Sequence, residues 1–186
     1  LTLHIPRNIK IDEISVVASK AGDKEPVTHE NISAADIQKR DFAQDMPYIL
    51  EGTPSLVTTS DAGQGIGYSG LRIRGTDPTR INVTLNGIPV NDAESHNVFW
   101  VDLPDLASST TNIQVQRGLG WSQPGVGDLG GGIHINTLGF NYEPYGTVKL
   151  SGGSFNTRRI TAAGGSGLIN GRFTIDGRAS YIPSDG

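Results

Sequence analysis

Leu71-Arg72-Ile73-Arg74-Gly75 is followed by Thr79-Arg80-Ile81-Asn82-Val83-Thr84-Leu85-Asn86-Gly87-Ile88-Pro89-Val90. Further along come Ile113-Gln114-Val115-Gln116-Arg117-Gly118 and Gly130-Gly131-Gly132-Ile133-His134-Ile135-Asn136-Thr137. Each is a short alternation of apolar and polar residues beside a glycine or a turn, which is the pattern of a short strand. Two of them place an arginine directly before a glycine, at Arg74-Gly75 and Arg117-Gly118. Working outward, strands are expected at residues 56–59, 70–74, 82–85, 113–117 and 133–136, with a helical turn or two within 98–106. Two long loops remain, 60–69 and 91–97, and long loops on a small domain are commonly functional or disordered.

Upstream, Ser33 and Asp36 form an S-x-x-D capping box that opens a helix to about Arg40. Asp45 is placed to cap a second short helix through about Glu51, stopped by Gly52 and Pro54. Residues 1–30 read as extended or flexible, with 12–19 the most β-prone piece and 22–26 a polar linker.

After Tyr142-Glu143-Pro144 the pattern changes. Thr147, Lys149 and Ser151 alternate with Val148, Leu150 and Gly152. Arg172, Thr174, Asp176, Arg178 and Ser180 alternate with Phe173, Ile175, Gly177, Ala179 and Tyr181, and residues 157–167 alternate less cleanly. Asn170-Gly171 between the later runs is a type I′ hairpin signal. The expectation is a three-strand antiparallel meander, polar on one face and apolar or small on the other. Three such strands cannot close a barrel, so the C-terminal end reads as a cut through a larger protein.

The 186 residues suit one domain, or one domain plus a fragment. Only 35% are hydrophobic, so the core must be lean, and 25 glycines imply many tight turns. The net charge of −4 and the absence of any Lys/Arg cluster argue against nucleic acid as a partner. There is no cysteine, hence no disulfide framework or thiolate metal site. No apolar run is long enough for a membrane helix, and no signal peptide is recognisable, but β-barrel strands give a far weaker signal. Residues 65–70 and 125–130 both match G-x-G-x-x-G, yet strand patterns follow where a dinucleotide site needs a helix. His4, His29, His96 and His134 are scattered without metal-ligand spacing. No nucleophile triad or catalytic carboxylate pair stands out.

In their order and spacing, the segments Ile73-Arg74-Gly75, Asn86-Gly87-Ile88-Pro89-Val90-Asn91, Gln116-Arg117-Gly118 and 125–135 resemble the plug domain of TonB-dependent outer-membrane receptors. The likeness covers roughly residues 12–137, and barrel strands extend it to about 182. Two departures stand out: Asn86 replaces the family's aspartate, and Gln116 replaces its glutamate. The resemblance implies an α+β fold: a small mixed β-sheet plug with short helices, then the first strands of a truncated transmembrane barrel of about 22 strands. It divides the chain into an extended segment at 1–26, a plug at 27–142 and three barrel strands at 143–186.

The resemblance also implies a function: the plug of an active-transport receptor in the outer membrane, importing a scarce nutrient with energy delivered by TonB. Asp12, Glu13, Ile14, Ser15, Val16, Val17 and Ala18 look like the TonB box, to be gripped by the periplasmic C-terminal domain of TonB through strand addition. Ser60, Asp61, Gln64, Tyr68, Asn91, Asp92, His96, Phe99 and Trp100 are the candidate ligand contacts. For Phe99 and Trp100, packing beneath the loop is an equal expectation. Arg74 and Arg117 are the candidate lock between plug and barrel carboxylates. No cofactor, resident metal or catalytic residue is assigned. Val16-Val17-Ala18-Ser19-Lys20 departs from the stretch typical of the family's glycan importers, which leans the ligand toward a ferric siderophore, haem or cobalamin. The alternatives are a glycan-importing receptor of the same family, a secreted β-rich glycan-binding module, and an enzyme built on a glycine-rich loop.

Overall fold

A computed structural model describes residues 27–118, 129–137, 139 and 141–185. The expected TonB box at 12–18 lies outside these residues, as does most of the second glycine-rich motif. The first described strand is β1 (His29–Ser33), which leads directly into helix α1 (Ala34–Arg40) and then α2 (Met46–Ile49). A hairpin follows, β2 (Leu56–Ser60) and β3 (Ser69–Ile73), then β4 (Ile81–Leu85) and the two-residue β5 (Ile88–Pro89). Short 3-10 turns at Trp100–Asp102 and Leu106–Ser109 precede β6 (Thr110–Arg117) and β7 (Gly131–Thr137). The chain ends in β8 (Pro144–Gly152), β9 (Arg158–Ser166) and β10 (Asp176–Tyr181).

The central sheet has the order β1-β6-β7-β4-β5 and is mixed: β4 and β7 run parallel, and every other pair is antiparallel. Register places Ile32 opposite Ile113, Ile113 opposite Ile135, and Ile133 between Val115 and Val83. One face is therefore continuous and aliphatic. It packs with Ile37 of α1, Met46 and Ile49 of α2, and Leu56, Leu71 and Ile73 of the β2–β3 hairpin, all buried. Burying such side chains is worth about 1.5–3 kcal/mol each, enough for this lean core to hold its layers together.

The opposite face of the sheet is polar and buried too. Gln116 Nε2 donates to Gln114 Oε1 at 2.9 Å, and Gln114 Nε2 donates to Asn31 Oδ1 at 2.8 Å. A neutral amide serves at 116 because it can donate to its neighbour, which a carboxylate cannot. Asn86 has a similar reason. Asn86 and Gly87 both have positive φ, 51° and 82°, as a two-residue hairpin loop between β4 and β5 requires. Asn86 Oδ1 accepts from Thr137 N–H at 2.9 Å while its Nδ2 donates to Thr137 Oγ1 at 2.8 Å. An aspartate could keep the second contact only with the Thr137 hydroxyl as the donor.

The five expected plug strands are present, some longer at their ends than the alternation indicated. β1 was not foreseen as a ladder strand: residues up to 30 read as an extended or flexible tail, yet it forms the sheet edge against β6. Ser33 caps α1, with its Oγ accepting from Asp36 N–H at 3.3 Å. Asp45 does not cap α2 with its side chain. Its carboxylate instead accepts from Gly67 N–H at 3.0 Å and Ser69 Oγ–H at 2.6 Å, two donors from the β2–β3 loop.

β8, β9 and β10 form a separate antiparallel meander in the order β10-β9-β8. Asn170 and Gly171 both take positive φ, 50° and 69°, as the turn signal predicts. The third strand begins at Asp176 rather than near 172. Gly167, at φ +64°, turns β9 out of the ladder after Ser166, and only an isolated bridge joins Ile169 to Phe173. Val148, Leu150, Ile160 and Tyr181 point away from the plug and are exposed, Leu150 by 75%. The polar face of the meander meets the plug.

Candidate functional site

Two places on the molecule carry the chemistry: a cleft between the plug loops, and a charged seam between plug and meander.

The cleft encloses about 270 Å³ and is lined by Thr59, Tyr68, Ser69, Pro78, Asn97, Phe99 and Trp100, among others. The β2–β3 loop supplies Tyr68, and the segment after the 91–97 loop supplies Phe99. Both rings are exposed, Tyr68 by 70% and Phe99 by 45%. Trp100 is 4% exposed and belongs to the hydrophobic core, so it lines the cleft as packed support. Among the described residues, no charged side chain lines this cleft. Across the β2–β3 loop, a Cβ on Gly63 would lie 3.0 Å from Phe155 Cζ, so the loop sits against the β8–β9 turn.

The other expected ligand contacts do not line the cleft, and several are committed to their own loops. Asn91 Oδ1 accepts from Val83 N–H at 2.8 Å, and its Nδ2 donates to Ile81 O at 2.9 Å and His96 O at 3.0 Å. The side chain thereby extends the edge of β4. Asp92 Oδ2 accepts from Ser95 N–H at 2.7 Å, Ser95 Oγ–H at 2.8 Å and Glu94 N–H at 3.1 Å. These bonds, the Ser95 backbone bond first and its hydroxyl second, hold the Asp92 carboxyl below the usual range. His96 takes φ +58° and donates its N–H to Asp92 O at 2.9 Å. Ser60 Oγ accepts from Ala62 N–H at 3.1 Å, Asp61 N–H donates to Tyr68 O at 3.1 Å, and Gln64 Nε2 donates to Ile66 O at 3.2 Å.

Asp45 fixes where Tyr68 stands, because its two bonds close the loop at Gly67 and Ser69. Asp45→Ala is expected to destabilise this loop by about 1–3 kcal/mol, from the loss of two hydrogen bonds between half-buried donors and a charged acceptor. Hydrogen exchange at the Gly67 amide in the full-length receptor should accelerate accordingly, with the β6–β7 amides unchanged.

The seam is built from residues that sequence reasoning passed over. Asp41, at the C-terminal end of α1, receives Arg159 Nη1 of β9, and Asp41 O accepts from Arg159 Nη2 at 3.0 Å. Asp105 lies 3.2 Å from the same Nη1 and also receives Arg178 Nη1 and Ser180 Oγ of β10. Ser108 Oγ donates to Asp105 at 2.7 Å and lies 3.2 Å from Asp41. Lys149 Nζ of β8 stands 4.0 Å from Asp41. The side chains of Asp41, Asp105 and Arg159 are 2–3% exposed. The signal was in the alternation: Arg159 and Arg178 fall on the same face as Lys149 and Thr161. What the sequence could not reveal was which plug carboxylates that face would meet.

Arg74 and Arg117 form no ion pair among the described residues. Arg74 is exposed, with φ +52°. Arg117 Nη1 donates to Pro54 O at 3.3 Å, and its Nε is buried with no hydrogen-bond partner among the described residues. The described residues also contain no group of three His, Cys, Asp or Glu side chains placed to hold a metal ion.

No curated protein sequence matches the chain. Solved structures do. The alcaligin outer-membrane receptor FauA of Bordetella pertussis superposes with a TM-score of 0.69 at 18% identity, over 87% of this chain and 27% of that one. FpvA of P. aeruginosa, solved with bound pyoverdines, gives 0.72 at 18% identity, over 90% and 22%. The ferric yersiniabactin uptake receptor FyuA of Yersinia pestis gives 0.64 at 15%, over 89% and 25%. At these identities the likeness establishes the fold, and the chain spans about a quarter of the length of each receptor. The family model described as the TonB-dependent receptor plug domain matches residues 22–132, more than half of the chain. The chain therefore belongs to the TonB-dependent receptor plug family, a family of outer-membrane transport receptors rather than enzymes.

Proposed function

We propose that this chain is the plug and first wall strands of a receptor that imports a scarce nutrient, of the ferric siderophore, haem or cobalamin type, with energy from TonB. Residues 1–26 are its pulled segment with the box at 12–18, residues 27–142 its plug, and residues 143–186 the first three strands of its barrel. The observation that carries this reading is the two-faced meander. Its polar face meets the plug, with Arg159 buried and Arg178 reaching Asp105, and its apolar face is exposed. That division suits a wall with lipid on one side and a plug on the other. The similar structures named above are an alcaligin receptor, FpvA with bound pyoverdines and a ferric yersiniabactin uptake receptor, which supports the siderophore class. No observation favours the glycan alternative.

In this reading the Tyr68–Phe99 cleft is the plug's share of the ligand site. Two exposed rings with hydroxyl and amide groups between them suit a ligand with a flat, apolar face. Arg74 and Arg117 remain the proposed lock, facing carboxylates on other parts of the wall. Titration of the purified full-length receptor with ferric siderophores, haem and cobalamin tests the site. The double variant Tyr68→Ala/Phe99→Ala should bind the parent's ligand about tenfold more weakly, from two lost aromatic contacts. Unchanged affinity would remove the cleft from the ligand site.

A further inference from the structure

We propose that Asp41 is the mechanical stop of this plug. Traction on the N-terminal segment strips β1 and α1 as far as residue 40, and the buried bonds from Asp41 to Arg159 then hold the rest of the plug on the wall. The proposal rests on the reading that the N-terminal segment is the part that is pulled.

The order of attachments along the chain supports it. Among the described residues, β1 is an edge strand, paired only with β6. α1 has seven residues and buries only Ile37. Arg40 donates to Ile49 O and Glu51 O, which are plug atoms. Among the described residues, no side chain of α1 bonds to the meander, and Asp41, the next residue in the chain, does. Tension applied at the N-terminus loads these ties in chain order. The first ones are a single-sided ladder and a short helix. The next is a carboxylate 2% exposed, charge-paired to an arginine 3% exposed, with the Asp41 carbonyl accepting a further bond from the same guanidinium. Charge-assisted bonds shielded from water are the strongest non-covalent ties available here.

Asp105 gives the stop its backing. It shares Arg159 with Asp41 and separately receives Arg178 and Ser180, so two neighbouring wall strands hold the plug at one point. Asp105 lies beyond the β2–β3 hairpin and β4 in the chain and is not loaded until the core itself gives way. The position of the stop also matters for what is uncovered. A cavity of about 610 Å³ lies between plug and meander, lined on the plug side by Gln38 of α1, Ser108 and Thr137, and on the other by Lys149, Thr161 and Arg178. Removing α1 takes Gln38 out of that cavity's lining and widens it, while Asp41 keeps the remaining plug, with Ser108 and Thr137, in place.

Single-molecule pulling from the N-terminus of the full-length receptor in a lipid bilayer tests this without any ligand. The parent should give a first event that ends at residue 41, releasing residues 27–40, up to about 50 Å of chain at ~3.5 Å per residue. A distinct, higher-force event should follow. In Asp41→Asn the stop should vanish, so that the first event runs on past residue 41. Asp36→Asn, which alters an exposed pair with Lys39 on the same helix, should keep the parent's pattern. The proposal is overturned if the parent's plug leaves in one step, if its first event ends elsewhere, or if Asp41→Asn keeps the stop. The parent's own first event decides the matter even if Asp41→Asn fails to assemble. Pulling reads the mechanical order whether or not the N-terminal segment is the natural grip, so failure of that functional reading would show separately, as uptake indifferent to the segment.

Discussion

Replacing Arg159 by alanine is expected to cost the joint between plug and wall about 3–5 kcal/mol, the penalty of breaking a buried ion pair by removing one partner. The side chain is 3% exposed and sits between two carboxylates that are 2% exposed. Without it, Asp41 and Asp105 are left close together, with Arg178 and the more distant Lys149 as the remaining cations. Chemical unfolding of the full-length receptor, followed by plug-specific hydrogen exchange, should show the plug loosening before the barrel does. Arg178→Ala should cost less, because that side chain is 25% exposed and water can replace part of its bond. An Arg159→Ala receptor as stable as its parent would mean that the seam is only a surface contact.

Gly131→Ala should be comparably severe. The glycine opens β7 at φ +143°, and a Cβ there would lie 2.4 Å from Gln116 O on the neighbouring strand. Neither strand can move aside: β6 and β4 flank β7 in the middle of the sheet. Backbone strain and overlap together should destabilise the plug by at least about 3 kcal/mol. Gly87→Ala separates the two contributions. Its φ is +82° but nothing lies within 4 Å of the added Cβ, so only strain of about 1–2 kcal/mol is expected. Comparing both variants by denaturant unfolding of the full-length receptor checks this. Equal losses would contradict the clash.

The strands were legible because each carries its own alternation and its own turn. Ile113-Gln114-Val115 states both its period and its buried face, and Asn86-Gly87 states a two-residue turn. β1 was harder to read because His29-Glu30-Asn31-Ile32-Ser33 buries only Ile32, and an edge strand needs little more. Asp45 looked like a cap, since spacing shows which residue precedes a helix but not where its side chain turns. The site was less legible than the fold. Asn91 and Asp92 read as candidate ligand contacts in a loop, and in the structure both bond within that loop or to its flanking strand. The seam depends on residues far apart in the chain, with Asp41 and Arg159 separated by 118 positions. No local pattern records such a pairing.

The central claim is that this plug belongs to a receptor driven from its N-terminal segment. Its most direct test is uptake by the full-length receptor in living cells, measured as accumulation of the metal or cobalamin of whichever ligand it binds. Val16→Pro removes a backbone N–H and fixes φ in the segment that must pair as a strand. The account predicts parental ligand binding and a parental amount of receptor in the outer membrane, with energy-dependent accumulation abolished. Accumulation at the parental rate in Val16→Pro would contradict it.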